Sequence, residues 1–201
     1  MWIDDVILVI DDVCSHEDGT FSLLFHPDGV SRKNGIDLSV VNQQAAVDIR
    51  PLWPDYLTES DFEHDFPYNL KLKAHQGPKA KKTDEMETYY SVTYPIKAQS
   101  VKFITAIILK DSPASKNIPQ VTRLKGDDLQ GVRIAKGDKI TDVYLNTRAD
   151  GHIMHRNSCT NVNGWDTDAY LLAFSYKKGT DPAVSKNILE WFIGYGSYVR
   201  N

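Results

Sequence analysis

The chain is cut at regular intervals by Gly, Asp, Asn and Pro, and the pieces between cuts are short and either apolar throughout or alternating. Such pieces suit strands and are too short for helices that could bury a continuous stripe, so the punctuation confines the chain to antiparallel sheets. Val6–Ile10 is an unbroken apolar run, which fits a strand covered on both faces. His16–Thr20 (HEDGT) reads as a hairpin connection and Phe21–Phe25 as the returning strand, closed by Pro27-Asp28-Gly29. Ile36–Val41 alternates, and Ala45–Ile49 continues the meander. Tyr68–Ala74 sets Tyr68, Leu70 and Leu72 on one face and Asn69, Lys71 and Lys73 on the other. Thr88–Tyr94 and Val101–Leu109 read as a further antiparallel pair, with Ile104–Leu109 apolar enough to be central. Later strands are expected at Val121–Leu124, Val132–Ile134, Lys139–Leu145, His152–His155, Ala169–Tyr176 and Ile188–Val199, and a helical turn only within Pro182–Trp191. Two stretches break the rhythm and read as loops. One is the aromatic-rich Pro51–Pro67. The other is Gln76–Glu87, with Gly77-Pro78 and the lysine cluster at 79, 81 and 82.

The expected fold is therefore all-β, a layered antiparallel β-sandwich, with closure of one sheet into a barrel as the alternative. Residues 1–201 are read as one sandwich domain, with a soft boundary near 111–119 where Ser112, Pro113, Ser115 and Pro119 cluster. A chain of 201 residues buries roughly 70% of its unfolded surface, enough to fold without a disulfide or metal. Cys14 and Cys159 accordingly read as two separate thiols. The formal net charge of −4 argues against nucleic acid or an anionic membrane as partner, since both reward a basic face. The opening MWIDDVILVIDDV lacks the basic start of a signal peptide. No apolar run approaches the roughly 20 residues of a membrane span.

Several polar groupings invite a chemical reading. His152, His155, Arg156, Asn157 and Tyr170 are close in sequence and are the residue types that a β-elimination needs as base, acid and carboxylate partner. Strand alternation sends His152 and His155 to opposite faces, which weakens both a catalytic and a zinc reading. His26 with Asp28 is a half-site at a turn, and the plainer reading is a partly buried histidine bonded to backbone. Asp11-Asp12, Asp127-Asp128 and the Asp166/Asp168 pair have the oxygens for Ca²⁺, yet Asp is equally a turn residue. For Asp168 the expectation is a structural turn or a cross-strand pair with Arg156 or Arg148. Sugar rings stack on exposed aromatics, so Trp53 and Tyr56 in the long loop and Trp165 in the Asn-Gly-Trp-Asp turn are the carbohydrate-binding candidates, with His155 and Arg156 beside them. The plainer role for the tryptophans is to plug the ends of the sandwich. No residue is assigned as catalytic or as a metal ligand.

Read together, Val6–Gly29 (VILVIDDVCSHEDGTFSLLFHPDG) and Asp150–Tyr176 (DGHIMHRNSCTNVNGWDTDAYLLAFSY) resemble two strand pairs in the β-rich region of heparinase II/III-like polysaccharide lyases. The resemblance runs from about Val6 to the C-terminus and lies in strand rhythm and a few polar positions. It implies the C-terminal sandwich of a bacterial lyase that cleaves uronate-containing polysaccharide, such as a glycosaminoglycan, by β-elimination. In such enzymes a helical toroid supplies the catalytic tyrosine and histidine, and the zinc ligands would lie upstream of this chain. The implied partners are that toroid and the glycan. The implied compartment, if the parent is exported, is periplasmic or extracellular. On this reading the chain alone is inactive, needs no cofactor, supports the toroid and lines the glycan groove. The alternatives are a stand-alone carbohydrate-binding module and a structural domain that docks on a helical partner.

Overall fold

A computed structural model describes residues 1–34, 37–43, 45–54, 71–79, 82–126, 129–148 and 159–201. The fold is all-β, and its antiparallel sheets pack in layers. Two compact units form, Met1–Lys116 and Asn117–Asn201. Their junction falls inside the 111–119 stretch rich in serine and proline. Among the described residues no helix is long and apolar enough to cross a membrane.

The first unit is organised by two long strands. β1 (Trp2–Ile3), β2 (Val6–Phe25), β3 (Val30–Asn34), β4 (Asp37–Asn42), β5 (Ala45–Trp53), β6 (Lys71–Lys79) and β7 (Lys82–Lys110) form one sheet. Its order is β1-β2-β7-β5-β4-β3, and β6 also pairs with β7. β2 follows one edge of β7, from Val6 opposite Ile108 to Phe25 opposite Tyr90. The other edge of β7 is shared by β6 and β5. The central position expected for Ile104–Leu109 is found here, between β2 and β5.

Two sequence expectations are corrected. His16–Thr20 is not a hairpin connection, and Thr88–Tyr94 and Val101–Leu109 are two halves of one strand rather than partners. The register instead shifts between Cys14 and Gly19 and again between Gly19 and Phe21. Ser15–Asp18 protrude on β2 and Pro95–Lys97 on β7, so the ribbon bulges first on one strand and then on the other. Bulges bend and twist a ribbon while its pairing continues. Gln76–Glu87 is likewise not a loop, since Gln76 pairs with Thr88 and Gly77 with Glu87. Beyond the bulges, Leu38 and Val40 of β4 pack with Leu72, Tyr90 and Val92, ringed by Phe25, Val47, Ile49 and Tyr94. Two portions of the same bent sheet thus face each other across one core.

The second unit is a five-stranded meander beside a small sheet. β8 (Gln120–Gly126), β9 (Leu129–Lys136), β10 (Lys139–Asn146), β13 (Leu171–Lys177) and β14 (Ile188–Gly194) lie in the order β14-β13-β10-β9-β8. β11 (Thr160–Val162), β12 (Trp165–Thr167) and β15 (Val199–Arg200) make the small sheet. The hairpin from β11 to β12 turns at Asn163-Gly164, with φ of 50° and 86°, the double positive φ of a type I′ turn. Leu172, Phe174 and Tyr176 alternate onto one face of β13 and meet Leu129, Tyr144, Val162 and Ala169. Each buried side chain of this size contributes about 2 kcal/mol. The single helical turn, a 3-10 turn at Ser185–Asn187, falls within Pro182–Trp191.

Candidate functional site

Of the candidates chosen from sequence, Trp53 and Trp165 lie among the described residues, and both are buried. Trp53 ends β5 and is 3% exposed, and Trp165 opens β12 and is 5% exposed. Trp165 donates its indole N–H to the Pro182 carbonyl at 2.8 Å and meets Trp191 edge-on, with centroids 4.8 Å apart. Neither indole presents a free face for a sugar ring. Both fill core positions, the plainer of the two roles. Tyr56, His155 and Arg156 lie outside the described residues, as do His152, Asn157, Asp127 and Asp128. Cys14 and Cys159 are free and exposed. Asp12 pairs with Lys102, and Asp166 accepts from the Asn161 amide at 2.7 Å. Among the described residues no group of three or more His, Cys, Asp or Glu could hold a metal.

Two groupings not singled out from sequence stand out. The first is buried beneath the small sheet's side of the meander. Asp142 on β10 is fully buried, and its cross-strand partner Arg133 on β9 donates Nε to Oδ1 at 2.7 Å and Nη2 to Oδ2 at 2.8 Å. Tyr176 on β13 accepts from Arg133 Nη2 at 2.9 Å and donates its hydroxyl to Asp142 Oδ2 at 3.0 Å. Burial first, then the charge of Asp142 and the hydrogen bond to it, push the Tyr176 phenol up to about 12. Burial likewise raises Tyr144, against the hydrogen bond from the Asn163 amide at 2.8 Å. The hydrogen bond to Asp142 raises Arg133 still further above its ordinary range. Every shift holds these groups in one protonation state at neutral pH. The Arg133–Asp142 pair, closed by the Tyr176 hydroxyl, ties β9, β10 and β13 together.

Asp168 belongs to the same class. It accepts from the Ser197 amide at 2.8 Å, the Tyr198 amide at 3.1 Å and the Ser197 hydroxyl. Burial pushes its carboxyl up, and the bonds from Ser197 and Tyr198 outweigh that and hold it below the ordinary carboxylate range. These bonds give Asp168 the structural role expected of it, and Arg156, named as one partner for it, lies outside the described residues.

The second grouping lies in the first unit where β2, β7 and β6 run side by side, with His26 exposed and Tyr89 and His75 half-buried. His26 follows the last residue of β2, Tyr89 lies on β7, and His75 lies opposite Tyr89 on β6. The three rings stand nearly parallel. His26 and Tyr89 have centroids 5.1 Å apart and planes 10° apart, and His75 and Tyr89 have 4.9 Å and 17°. These separations are the spacing of neighbouring strands, so the rings form a row across three strands with their edges outward. His26 donates from Nδ1 to Glu87 Oε1 at 3.3 Å and is half-exposed. His75 Nε2 shares a hydrogen bond with Ser91 Oγ at 2.8 Å. A Cβ at Gly77 would stand 3.0 Å from the Tyr89 ring, so the glycine makes room for that ring. Leu24, 58% exposed, and Lys73 flank the row through their cross-strand partner Ser91. His26 is thus not a partly buried residue bonded to backbone, as its turn position suggested. Its partner is a carboxylate 61 residues further along the chain.

Such a row can donate and accept hydrogen bonds along a line roughly 10 Å long, about the reach of two sugar residues. No protein-family model matches the chain. No curated protein matches it at a significant level.

Proposed function

We propose that this chain is the β-sandwich portion of a heparinase II/III-like polysaccharide lyase and that it contacts an acidic glycan through the His26–Tyr89–His75 row. On this reading a helical toroid carries the chemistry, and the sandwich supports it and holds the substrate. The observation that carries the proposal is the row itself, exposed at His26 and half-buried at Tyr89 and His75. Imidazole and phenol edges suit sugar hydroxyls, the outer ring of His26 offers a stacking face, and Lys73 on the same face of β6 gives a uronate carboxylate a positive partner. Glu87 fixes the His26 ring, so the row is already in place before ligand arrives.

The test is calorimetric titration of the 201-residue chain with uronic-acid oligosaccharides and with neutral oligosaccharides of equal length. Binding to the uronates is expected, weakened at least tenfold by Tyr89→Ala and by His26→Ala with the circular dichroism spectrum unchanged. Equal binding of neutral and acidic oligosaccharides, or no binding of either, would remove the glycan assignment. Accumulation of unsaturated uronate product by the chain alone would overturn the supporting role.

A further inference from the structure

Exposed sheet edges recruit other strands unless charge, proline, bulges or brevity prevent it. Most edges here carry such guards. β3 has Arg32 and Lys33, β6 has three lysines and Pro78, and β1 is two residues long. β8 carries Arg123 and follows Pro119, and β2 is bulged beside Glu17 and Asp18.

β14 is the least guarded: it is seven residues long and has no proline, and its one irregularity is at its start, where the register with β13 shifts and Leu189 has no partner. Its sequence is ILEWFIG, and among the described residues it pairs with β13 alone. Its one charge, Glu190, is held by Lys139 at 3.2 Å. Leu189 is 61% exposed, Trp191 39%, Phe192 49%, Ile193 42% and the following Tyr195 60%. Together these side chains offer on the order of 500 Å² of surface. That is most of the roughly 800 Å² per partner that a standard protein interface buries, and the strand backbone and its flanks add to it.

We propose that β14 is a homodimer interface, in which a second copy of the chain adds its own β14 antiparallel across a two-fold axis. The strand is complementary to itself in that arrangement. With the axis at Trp191, Leu189 of one copy stands opposite Ile193 of the other, and the two Trp191 side chains face each other. Glu190 meets Phe192, so the two carboxylates do not oppose. The unpaired N–H and C=O groups of the edge satisfy one another, as an isologous contact requires. The five-stranded sheets of two copies then become one continuous sheet. This interface is independent of the glycan-binding row, and either can fail without the other.

Sedimentation equilibrium of the 201-residue chain tests the idea. A dimer is expected, and the Leu189→Lys/Phe192→Lys double variant should dissociate roughly 100-fold more readily, as loss of a central apolar cluster does. In the wild-type chain, hydrogen exchange in the peptide covering β14 should slow as protein concentration rises, which gives a readout even if the double variant does not fold. A chain that stays monomeric at roughly 100 µM, with β14 exchange independent of concentration, overturns the proposal and leaves the edge to a strand of another protein. A dimer that protects some other strand while β14 exchanges freely overturns it as well.

Discussion

Replacing Arg133 by Met should destabilise the second unit far more than removal of any other single surface-reaching side chain. Asp142 is fully buried, while the Arg133 side chain is 37% exposed, so the arginine is the route by which the buried carboxylate is neutralised. Its loss deletes two charge-assisted bonds, of 2.7 and 2.8 Å, and leaves only the Tyr176 hydroxyl at 3.0 Å on the carboxylate. Stranding one member of a buried ion pair costs about 3–5 kcal/mol. Tyr176→Phe removes a hydroxyl that donates to Asp142 and accepts from Arg133 but leaves the ion pair intact, which costs about 1.5–3 kcal/mol. Arg133→Met/Asp142→Leu removes both charges and should be more stable than Arg133→Met alone, because the penalty lies in the uncompensated carboxylate. Native-state hydrogen exchange of peptides from β10 and β13 measures the opening free energy of this sheet without assuming that the whole chain unfolds in one step. A loss below about 1 kcal/mol in Arg133→Met, or a double variant no more stable than the single one, would refute the reasoning.

Asp168 gives a pH-dependent counterpart. Its folded carboxyl titrates below the unfolded value, so its contribution is present above about pH 4 and is lost as pH falls through the folded value. Asp168→Asn should therefore lower the urea midpoint at pH 7 and converge with wild type in acid; a deficit that stays constant down to about pH 2 would contradict this. Gly196→Ala should cost about 1–3 kcal/mol by overpacking. Its new Cβ would stand 2.6 Å from the Ala169 Cα and 3.0 Å from the Ala169 nitrogen, both backbone atoms. Faster exchange of the β15 amides would report the damage, and an unchanged melting temperature would contradict it.

The fold class was legible because turn residues cut the chain into lengths that only strands can use. What composition could not distinguish was a turn from a bulge. HEDGT has the polarity of a hairpin loop, yet Cys14 stands opposite Ser100 and Phe21 opposite Tyr94 on the same partner strand. The extra residues on β2 are answered by Pro95–Lys97 on β7, and no local signal links segments about 80 positions apart. Gln76–Glu87 was misread for a related reason. Proline removes a donor from a ladder, but among the described residues β6 pairs with β7 alone, and an edge strand tolerates proline.

The functional residues were less legible still, because each was judged by its own type. Trp165 follows a polar turn, which leaves both an exposed sugar-stacking role and a buried plugging role open to it. The type I′ turn at Asn163-Gly164 reverses the chain so tightly that Trp165 and Thr167 are both buried. The usable signal was period two on neighbouring strands: Lys73 and His75 on β6, and Glu87, Tyr89 and Ser91 on β7, all on one face. Alternation alone places those residues on the face opposite Leu72, Tyr90 and Val92, which point to the core. It cannot reveal that His26 completes the row, because that requires β2 to continue past its bulge and reach Tyr90 in register. The bulge therefore links fold to site. A hairpin at His16–Thr20 would reverse the chain there, whereas the bulged strand carries Phe25 to Tyr90 and sets His26 beside Tyr89.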